Sequence, residues 1–372
     1  MNFAHGLSRA VPLPLCLLFL LLLATASHGA DDSVISTARH VTKLAEGVYT
    51  IRHPDATDDF PEGNTTVVIG ARDVLVIDSC YLPSSAREDI AQIRRWTDKP
   101  VRYVLNTHWH YDHNGGNASY LDAFPMAAIV AHHETRAMMA ARVPSYVRRY
   151  AAEDSVFGKD RALLSKIATT GLDDAGKPVS SDEKVVAAKN LAMKERAAGE
   201  FREYAFAPPT LTFDHALDID LGNREVQLRF LGRGNTGGDV VAYLPAEKIL
   251  VAGDLLDHPV PYAFGGYPHE WINTLRAMAL LDVATIVPGH GEVLAGKAYL
   301  HEVIDLLQTV VTAANEAVSA KGSAASVEDV AKSIDFTRFR TSMAGSDKDS
   351  QQFFDESIKS LIRIVFAEVK AR

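Results

Sequence analysis

The sequence predicts an α/β protein, a four-layer αβ/βα sandwich with metal ligands at one sheet edge. The first observation is a strand–helix–strand pattern. Residues 73–79 and 101–107 are rich in β-branched and apolar side chains, and residues 85–96 between them have helical character. The second is a repeat of this theme at residues 249–287, which indicates two βα halves. The third is a run of histidines that directly follows the strand at 101–107.

Each element is predicted from a local pattern, in chain order. Residues 48–53 and 65–71 alternate in the manner of strands and are separated by Gly, Asn and Asp. Ser85 and Glu88 form a capping-box pattern that predicts the start of a helix ending near Trp96. A short helix and a strand are predicted within residues 121–133. Further strands are predicted at residues 211–219, 225–230, 240–244, 249–253 and 284–287, with a helix at 270–281.

Two stretches are predicted to be helical throughout. Residues 136–207 are rich in Ala, Lys and Glu and contain no candidate metal ligand, which predicts a helical insertion in a domain that spans residues 45–295. This insertion is either a lid beside the active-site mouth or a solvated decoration. Residues 296–372 are predicted as a helical C-terminal extension. Its two apolar stripes, expected to face the core, are Leu300, Val303, Ile304, Leu307, Val310 and Val311, and Phe354, Ile358, Leu361, Ile362 and Val365.

The N-terminus has the pattern of a secretory signal peptide. Arg9 is followed by an apolar run at residues 11–23 and by small residues, which predicts cleavage after Ala26, with Ala30 as a second site. The apolar run is too short to span a bilayer comfortably, so no stable membrane insertion is expected after cleavage. We therefore expect a periplasmic or secreted protein. Its single remaining cysteine, Cys80, has no partner for an internal disulfide.

The composition is that of an ordinary soluble globular protein, with 47% hydrophobic and 23% charged residues. The formal net charge is −9, and removal of the signal peptide takes away one further positive charge. An acidic surface repels the phosphate backbone, so a nucleic-acid partner is not expected. A small-molecule substrate is expected instead.

A metal site is predicted from the dense cluster of ligands at residues 108–113. His108, His110, Asp112 and His113 supply three imidazoles and one carboxylate within six residues, directly after an apolar strand. These are the ligands of zinc and similar metals. A single histidine is more often a surface or core residue, but the whole spacing is not explained in that way. Four donors from one loop exceed what one tetrahedral site takes, so two metals fit better than one.

This spacing resembles the metallo-β-lactamase superfamily, and later motifs agree in order. Gly253-Asp254 follows one apolar run, and Pro288-Gly289-His290-Gly291 follows another. The resemblance covers residues 45–295. It implies a metal-dependent hydrolase in which metal binding lowers the pKa of water and supplies a hydroxide that attacks the carbonyl of a small ester, lactone, thioester or lactam.

The resemblance also implies a role for each ligand. His108 and His110 would hold a first metal, and Asp112, His113 and His290 a second. Asp254 would bridge the two ions, although a Gly-Asp pair after a strand is often only a turn. Asp112 would in addition orient the nucleophile or pass a proton. The expected cofactor is one or two zinc ions, with iron or manganese as alternatives.

One position departs from the family pattern, because Asn235 stands where a third metal-binding histidine is usual. An amide oxygen is a weaker zinc donor than imidazole. Three outcomes are open: a weak first site, a mononuclear enzyme that uses the second site, or a substitute ligand. The candidates for that ligand are His132, His133, His215, His258 and His269.

Supporting roles are predicted around this centre. Asp78 either holds a ligand imidazole from behind or makes a turn at a strand end, and Asn106 and Thr107 are candidates for positioning the loop. The aromatic residues after Asp254 either form a substrate wall or pack beneath a loop. They are Tyr262, Phe264, Tyr267 and Trp271.

Three other functions compete with a general hydrolase. The first is a class B-type β-lactamase, which Asp254 disfavours because the zinc β-lactamases usually have Cys or Ser at that position. The second is a mononuclear iron oxidoreductase resembling the sulfur dioxygenases of the same fold. The third is a non-catalytic metal-binding protein.

Overall fold

The computed structural model describes residues 39–56 and 60–372, in which the chain forms two sheets. The first sheet has seven strands in chain order: β1 (His40–Ala45), β2 (Val48–Arg52), β3 (Thr65–Ile69), β4 (Val74–Ile77), β5 (Val101–Leu105), β6 (Ala128–His132) and β7 (Leu211–Phe213). The second contains β8 (Ala216–Asp220), β9 (Glu225–Arg229), β10 (Val241–Leu244), β11 (Ile249–Gly253), β12 (Thr285–Pro288) and β13 (Leu294–Ala295), and its spatial order runs from β13 to β8. Neighbouring strands from β4 to β7 are parallel, as are β11 and β12.

The helices between and after these strands fall into three sets. Beside the first sheet lie α1 (Pro83–Trp96) and α2 (Asn117–Ala123). Between β6 and β7 come α3 (His133–Ala151), α4 (Val156–Thr170) and α5 (Ser181–Arg202). The second half of the described chain contributes α6 (Pro268–Ala279), α7 (Ala298–Lys321), α8 (Val327–Ser333), α9 (Thr337–Ala344) and α10 (Lys348–Ala371).

The layer order follows from the alternation of side chains along the strands. In β4, Leu75 and Ile77 point into a core shared with the second sheet, while Val74 and Val76 point into an outer core beneath α1. All four are fully buried, as expected of a strand covered on both faces.

On the far side of the second sheet, Val241 and Leu250 belong to the same apolar cluster as Trp271 of α6 and Leu307 of α7. The order is therefore helix, sheet, sheet, helix, and the predicted four-layer αβ/βα sandwich is confirmed. Every residue of the two predicted C-terminal stripes is buried, so the helical C-terminal extension packs onto this outer core.

The predicted single strand at residues 211–219 is wrong. Residues Leu211–Phe213 pair with β6 in the first sheet, whereas Ala216–Asp220 pair with β9 in the second. Asp214 and His215, both exposed, carry the chain across. The apolar pattern continues through this crossover because the segments before and after it both face the core between the sheets. The sequence prediction also omitted strand β1.

The predicted capping box at Ser85 and Glu88 is wrong as well. Helix α1 begins at Pro83, and its N-cap residue makes no side-chain hydrogen bond. The carboxylate of Glu200, in α5, accepts hydrogen bonds from the Ser84 backbone N–H (2.8 Å) and hydroxyl (2.7 Å). A distant residue thus satisfies the helix terminus.

The predicted signal peptide lies outside the described residues. Among the helices that the structure describes, none has the length and apolar character needed to cross a membrane.

Candidate metal centre

The predicted ligands come from the ends of three strands. Strand β5 leads into the loop that carries residues 108–113, β11 ends directly before Asp254, and β12 ends two residues before His290. The two halves are joined there by a hydrogen bond from Asn64 N to Gly289 O of 2.7 Å. Gly289 also allows the loop that carries His290 to lie close to Asp254, since a Cβ atom at that position would lie 2.0 Å from Asp254 Oδ1.

The first ligand group is His108, His110 and the Oδ2 atom of Asp254. His108 Nε2 lies 3.1 Å from Asp254 Oδ2, and His110 Nδ1 lies 3.8 Å from the same oxygen. Two atoms that bind one zinc ion tetrahedrally are separated by roughly 3.3 Å. His108 and Asp254 therefore have the spacing of atoms that could share an ion, whereas His110 lies farther away and joins no cluster of described residues whose ligand atoms are all within 4.8 Å of one another.

The second ligand group is Asp112, His113 and His290. Asp112 Oδ2 lies 3.0 Å from His290 Nε2 and 3.3 Å from His113 Nε2, and the two ring nitrogens are 3.2 Å apart. The other oxygen of Asp254, Oδ1, lies 3.1 Å from His113 Nε2. Asp254 consequently turns one oxygen toward each group, which is the arrangement expected of a bridging carboxylate.

Unpaired buried atoms line the same space. His108 Nε2, Asp254 Oδ1 and Asn235 Oδ1 are buried and have no hydrogen-bond partner among the described residues. Such atoms are costly unless another group binds them. His108 and Asp254 also share a cluster with His113 in which the ligand atoms all lie within 4.8 Å of one another, which fits a divalent cation.

Charged neighbours shift the pKa values of the side chains in this cluster. Burial would raise the pKa of Asp254, but the three nearby imidazoles of His113, His108 and His290 hold it well below its ordinary value. Burial would lower the pKa of His290, but Asp254 and Asp112 raise it to about 9. Asp254 is therefore ionised at neutral pH, and a cation that binds here would displace the proton held by His290.

A layer of hydrogen bonds fixes the ligands from behind. Asp78 Oδ2 lies 2.9 Å from His113 Nδ1, and Asp78 also accepts hydrogen bonds from Thr107 N and Thr107 Oγ1, each at 2.8 Å. Thr107 Oγ1 lies 3.0 Å from His108 Nδ1. Asn106 Nδ2 donates to His113 O at 3.1 Å. Of the two interpretations of Asp78, the structure supports the one in which it orients a ligand ring.

Asn235 lies within the first ligand group. Its Nδ2 atom is 3.4 Å from His110 Nδ1 and 3.5 Å from Asp254 Oδ2. The amide therefore occupies the place expected for the third imidazole, and it leaves the first group with two histidines.

The five candidate substitute ligands lie elsewhere. His132 stacks on Phe230, His133 pairs with Asp214, His269 pairs with Glu368, and His215 is exposed. The ring of His258 faces Tyr299. None of the five joins a metal-capable cluster in residues 39–56 or 60–372.

Sequence reasoning missed Asp257, which is buried beside the centre. Ligand atoms of Asp254, Asp257 and His290 all lie within 4.8 Å of one another. Burial raises the pKa of Asp257 well above its ordinary value, and the charge of Asp254 adds to that effect. The available signal was a second carboxylate three residues after Asp254, at the end of a tight turn.

A second buried cluster was also missed, and it supports the loop before β3. Asp89 accepts hydrogen bonds from Arg39 (2.7 Å), His53 (2.9 Å) and Cys80 (3.2 Å). His53 Nδ1 donates to Gly63 O at 2.8 Å. Its polar atoms already have partners, so this cluster is structural.

Gly63 links this second cluster to the metal centre. A Cβ atom on Gly63 would lie 2.4 Å from the ring of His113, so the backbone there packs directly against a ligand.

The aromatic residues after Asp254 have separate roles. Trp271 is a core residue whose Nε1 donates to Leu255 O, and Tyr267 lies beneath the guanidinium of Arg233. Phe264, by contrast, is 60% exposed, and its ring centroid lies 5.9 Å from that of His110. Only Phe264 has the exposure of a wall beside the ligands.

The helices between β6 and β7 contact the metal loop. Tyr111, between two predicted ligands, lies with its ring centroid 5.3 Å from each of Tyr146 in α3, Phe201 in α5 and Tyr204 just beyond α5. These helices are therefore packed against the site and are more than a solvated decoration.

Comparison with known proteins gives a consistent result. A sequence profile described as the metallo-beta-lactamase superfamily matches residues 58–290. A linear primary-alkylsulfatase from a Pseudomonas species is 21% identical over 248 residues, which are 64% of this chain and 43% of that protein. A type 2 metallo-beta-lactamase from a Bacillus species is 25% identical over 142 residues, which are 37% of this chain and 54% of that protein. The chain thus spans about half the length of the curated relatives it matches.

A metallo-beta-lactamase from Pontibacter korlensis has a similar solved structure, with a TM-score of 0.51 and 17% identity. The superposition covers 73% of this chain and 99% of that one. At this identity the likeness concerns the fold alone.

Proposed function

The chain belongs to the metallo-beta-lactamase superfamily, and we propose that it is an exported zinc-dependent hydrolase of a small ester, lactone, thioester or lactam. That it is a metal-binding hydrolase of this superfamily follows from the match and from the named relatives. The observation that carries the proposal is Asp254, whose two oxygens face two separate groups of ligand atoms. In this proposal His108 and His110 hold a first ion, Asp112, His113 and His290 hold a second, and Asp254 bridges the two.

Bound divalent ions would supply a Lewis acid and a water molecule of lowered pKa. The chain's own residues orient the ligand side chains and act on the water molecule and the proton. Asp78 and Thr107 hold the rings of His113 and His108 in fixed orientations, which reduces the reorganisation needed during reaction. Burial would raise the pKa of Asp112, but His113 and His290 lower it, and we assign the resulting carboxylate the role of orienting a water molecule or carrying a proton to the leaving group.

The substrate is proposed to enter on the side of His110 and His290, whose side chains are 15% and 21% exposed. Phe264 offers an apolar surface there. A small substrate with an apolar group next to its scissile bond suits this opening.

Hydrolysis of sulfate esters is a second candidate. It is favoured by the alkylsulfatase relative, which is matched over a longer stretch than the β-lactamase relative. Asp254 also supports a substrate other than a β-lactam, since a carboxylate and not a thiolate stands at the bridging position.

The test is an activity panel with quantified metal. Wild type and Asp112→Asn, each loaded with zinc, are assayed against nitrocefin, lactones, thioesters, carboxylic esters and alkyl sulfates. Exposed Asp122 provides the matched control, Asp122→Asn. We expect one substrate class to be hydrolysed by wild type and the control, and a loss of at least 100-fold in Asp112→Asn.

Absence of hydrolysis by the zinc-loaded wild type would contradict the proposal. So would activity that depends on iron and consumes oxygen, which would indicate the oxidoreductase alternative.

A further inference from the structure

We propose that Asp257 is an additional metal ligand, which acts with the second ligand group of Asp112, His113 and His290. The superfamily resemblance assigns no role to this position. The inference rests on the proposed metal centre and is independent of the substrate.

Backbone hydrogen bonds hold the turn that carries Asp257 beside the metal centre. After β11 the chain makes a tight turn in which Leu256 N donates to Gly253 O at 3.2 Å. Gly289 N then donates to both Gly253 O and Leu256 O, each at 2.9 Å, which ties this turn to the loop that carries His290. The hydroxyl of Tyr299 donates to Asp257 O. As a result, ligand atoms of Asp257, Asp254 and His290 lie within 4.8 Å of one another.

Burial distinguishes Asp257 from an ordinary surface acid. The residue is only 7% exposed, and its Oδ1 atom is buried with no hydrogen-bond partner among the described residues. Burial and the nearby charge of Asp254 both disfavour the ionised form of Asp257, and its unpaired buried oxygen adds a desolvation cost. A cation bound between Asp257, Asp254 and His290 would remove both costs.

The position of Asp257 bears on which metal binds first. The first ligand group has lost an imidazole to Asn235, while Asp257 adds an oxygen donor next to His290. Asp257 thus reinforces the second group on the side where His290 meets Asp254, the carboxylate that the two groups share. We therefore assign the tighter metal to the second ligand group.

The test is zinc titration of the metal-free protein by calorimetry, with thermal melting in parallel. Asp257→Asn keeps the shape of the side chain and removes its charge. We expect affinity at the tighter site to fall at least tenfold, whereas the control Asp122→Asn binds as wild type does. Without metal, Asp257→Asn should melt no lower than wild type, because a buried amide has no charged form that burial and Asp254 disfavour.

Zinc affinity within twofold of wild type would overturn the assignment. A lower melting temperature of the metal-free variant, with affinity unchanged, would show that Asp257 only stabilises the turn. If Asp257→Asn does not fold, Asp257→Glu and Asp257→Gln form a second pair. In that pair Glu should bind zinc at least tenfold more tightly than Gln, and equal binding overturns the inference. Hydrolysis by wild type is measured separately, so failure here leaves the proposed function intact.

Discussion

His108 Nε2 and His113 Nε2 each lie 3.1 Å from Asp254, but from different oxygens of its carboxylate. At the scale of the residue, the Asp254 carboxylate therefore separates the two ligand groups, because one of its oxygens faces His108 and the other faces His113. The residues that could be named from sequence are those with a local spacing, in particular residues 108–113. Asp257 offered only a weak local signal, a carboxylate three residues after Asp254. Its place beside His290 depends on chain segments that meet only in the folded protein, as does the contact of Gly63 with His113.

His53 gives a prediction for the pH dependence of stability. Burial alone would lower its pKa, but the charge and hydrogen bond of Asp89 outweigh burial and raise it above 6.5. A raised pKa in the folded state stabilises the protein fully below the unfolded-state pKa, and this stabilisation is lost as the pH rises through the folded-state pKa. The unfolding free energy of wild type minus that of His53→Gln should therefore be largest near pH 6 and should shrink toward pH 9.

This difference is measured by urea unfolding of the metal-free proteins at each pH. His40→Gln serves as the control, because His40 is an exposed histidine on β1. A difference that grows with pH would contradict the assignment of His53 as the cationic partner of Asp89.

Phe264 gives a prediction for substrate binding. Its exposed ring beside His110 should contact the apolar part of the substrate. Phe264→Ala is expected to raise KM for the preferred substrate by about fivefold, equivalent to roughly 1 kcal/mol of apolar contact, with kcat changed less than KM. Leu280→Ala, an exposed apolar control at the end of α6, should leave KM unchanged. An unchanged KM in Phe264→Ala would remove Phe264 from the binding surface.

At the scale of the element, the strands were predicted well where each faces one continuous core. Val74 to Ile77 form a fully buried strand, and its apolar run was sufficient evidence. The crossover at Asp214 and His215 was not predicted, since the residues on either side keep the same apolar pattern while they enter different sheets. The start of α1 was misplaced for a related reason: its cap comes from Glu200, which lies 116 residues beyond Ser84 in the chain.

Glu200 yields a prediction at this scale. Glu200→Ala removes the acceptor for Ser84 N and Oγ and leaves the N-terminus of α1 without its cap. The expected cost is about 1–2 kcal/mol of unfolding free energy, measured by urea denaturation. Glu203→Ala, at an exposed position just beyond α5, should cost less than 0.5 kcal/mol by the usual size of surface substitutions. Equal effects of the two substitutions would show that Glu200 does not act as a cap.

At the scale of the whole molecule, two sets of helices are added to the four-layer αβ/βα sandwich. The first set lies between β6 and β7, and the second is the C-terminal extension. The first set packs on Tyr111 of the metal loop. From the second set, Phe353 of α10 stacks on Tyr262, two residues before Phe264. The C-terminal helices therefore border the proposed substrate entrance, while the helices between β6 and β7 support the loop of predicted ligands, and we expect both contacts to influence specificity. The helical character of both sets was predictable from composition, but the surfaces they contact were not.

Export is also a property of the whole chain. When the full sequence is expressed in a Gram-negative host, we expect the protein in the periplasmic fraction, with the mass of a chain that begins after Ala26 or Ala30. Intact-mass spectrometry of that fraction checks this. Recovery of the full-length mass from the cytoplasm alone would contradict the predicted signal peptide.

The most direct test of the central claim is the number of zinc ions bound by wild type and by Asn235→His, measured on the mature protein by titration and elemental analysis. Wild type should bind one zinc ion tightly at the second ligand group and a second one weakly, because Asn235 leaves the first group with two imidazoles and Asp254. Asn235→His should bind two ions tightly. Two tight ions in wild type, or no gain in Asn235→His, would contradict the assignment of Asn235 and of the two ligand groups.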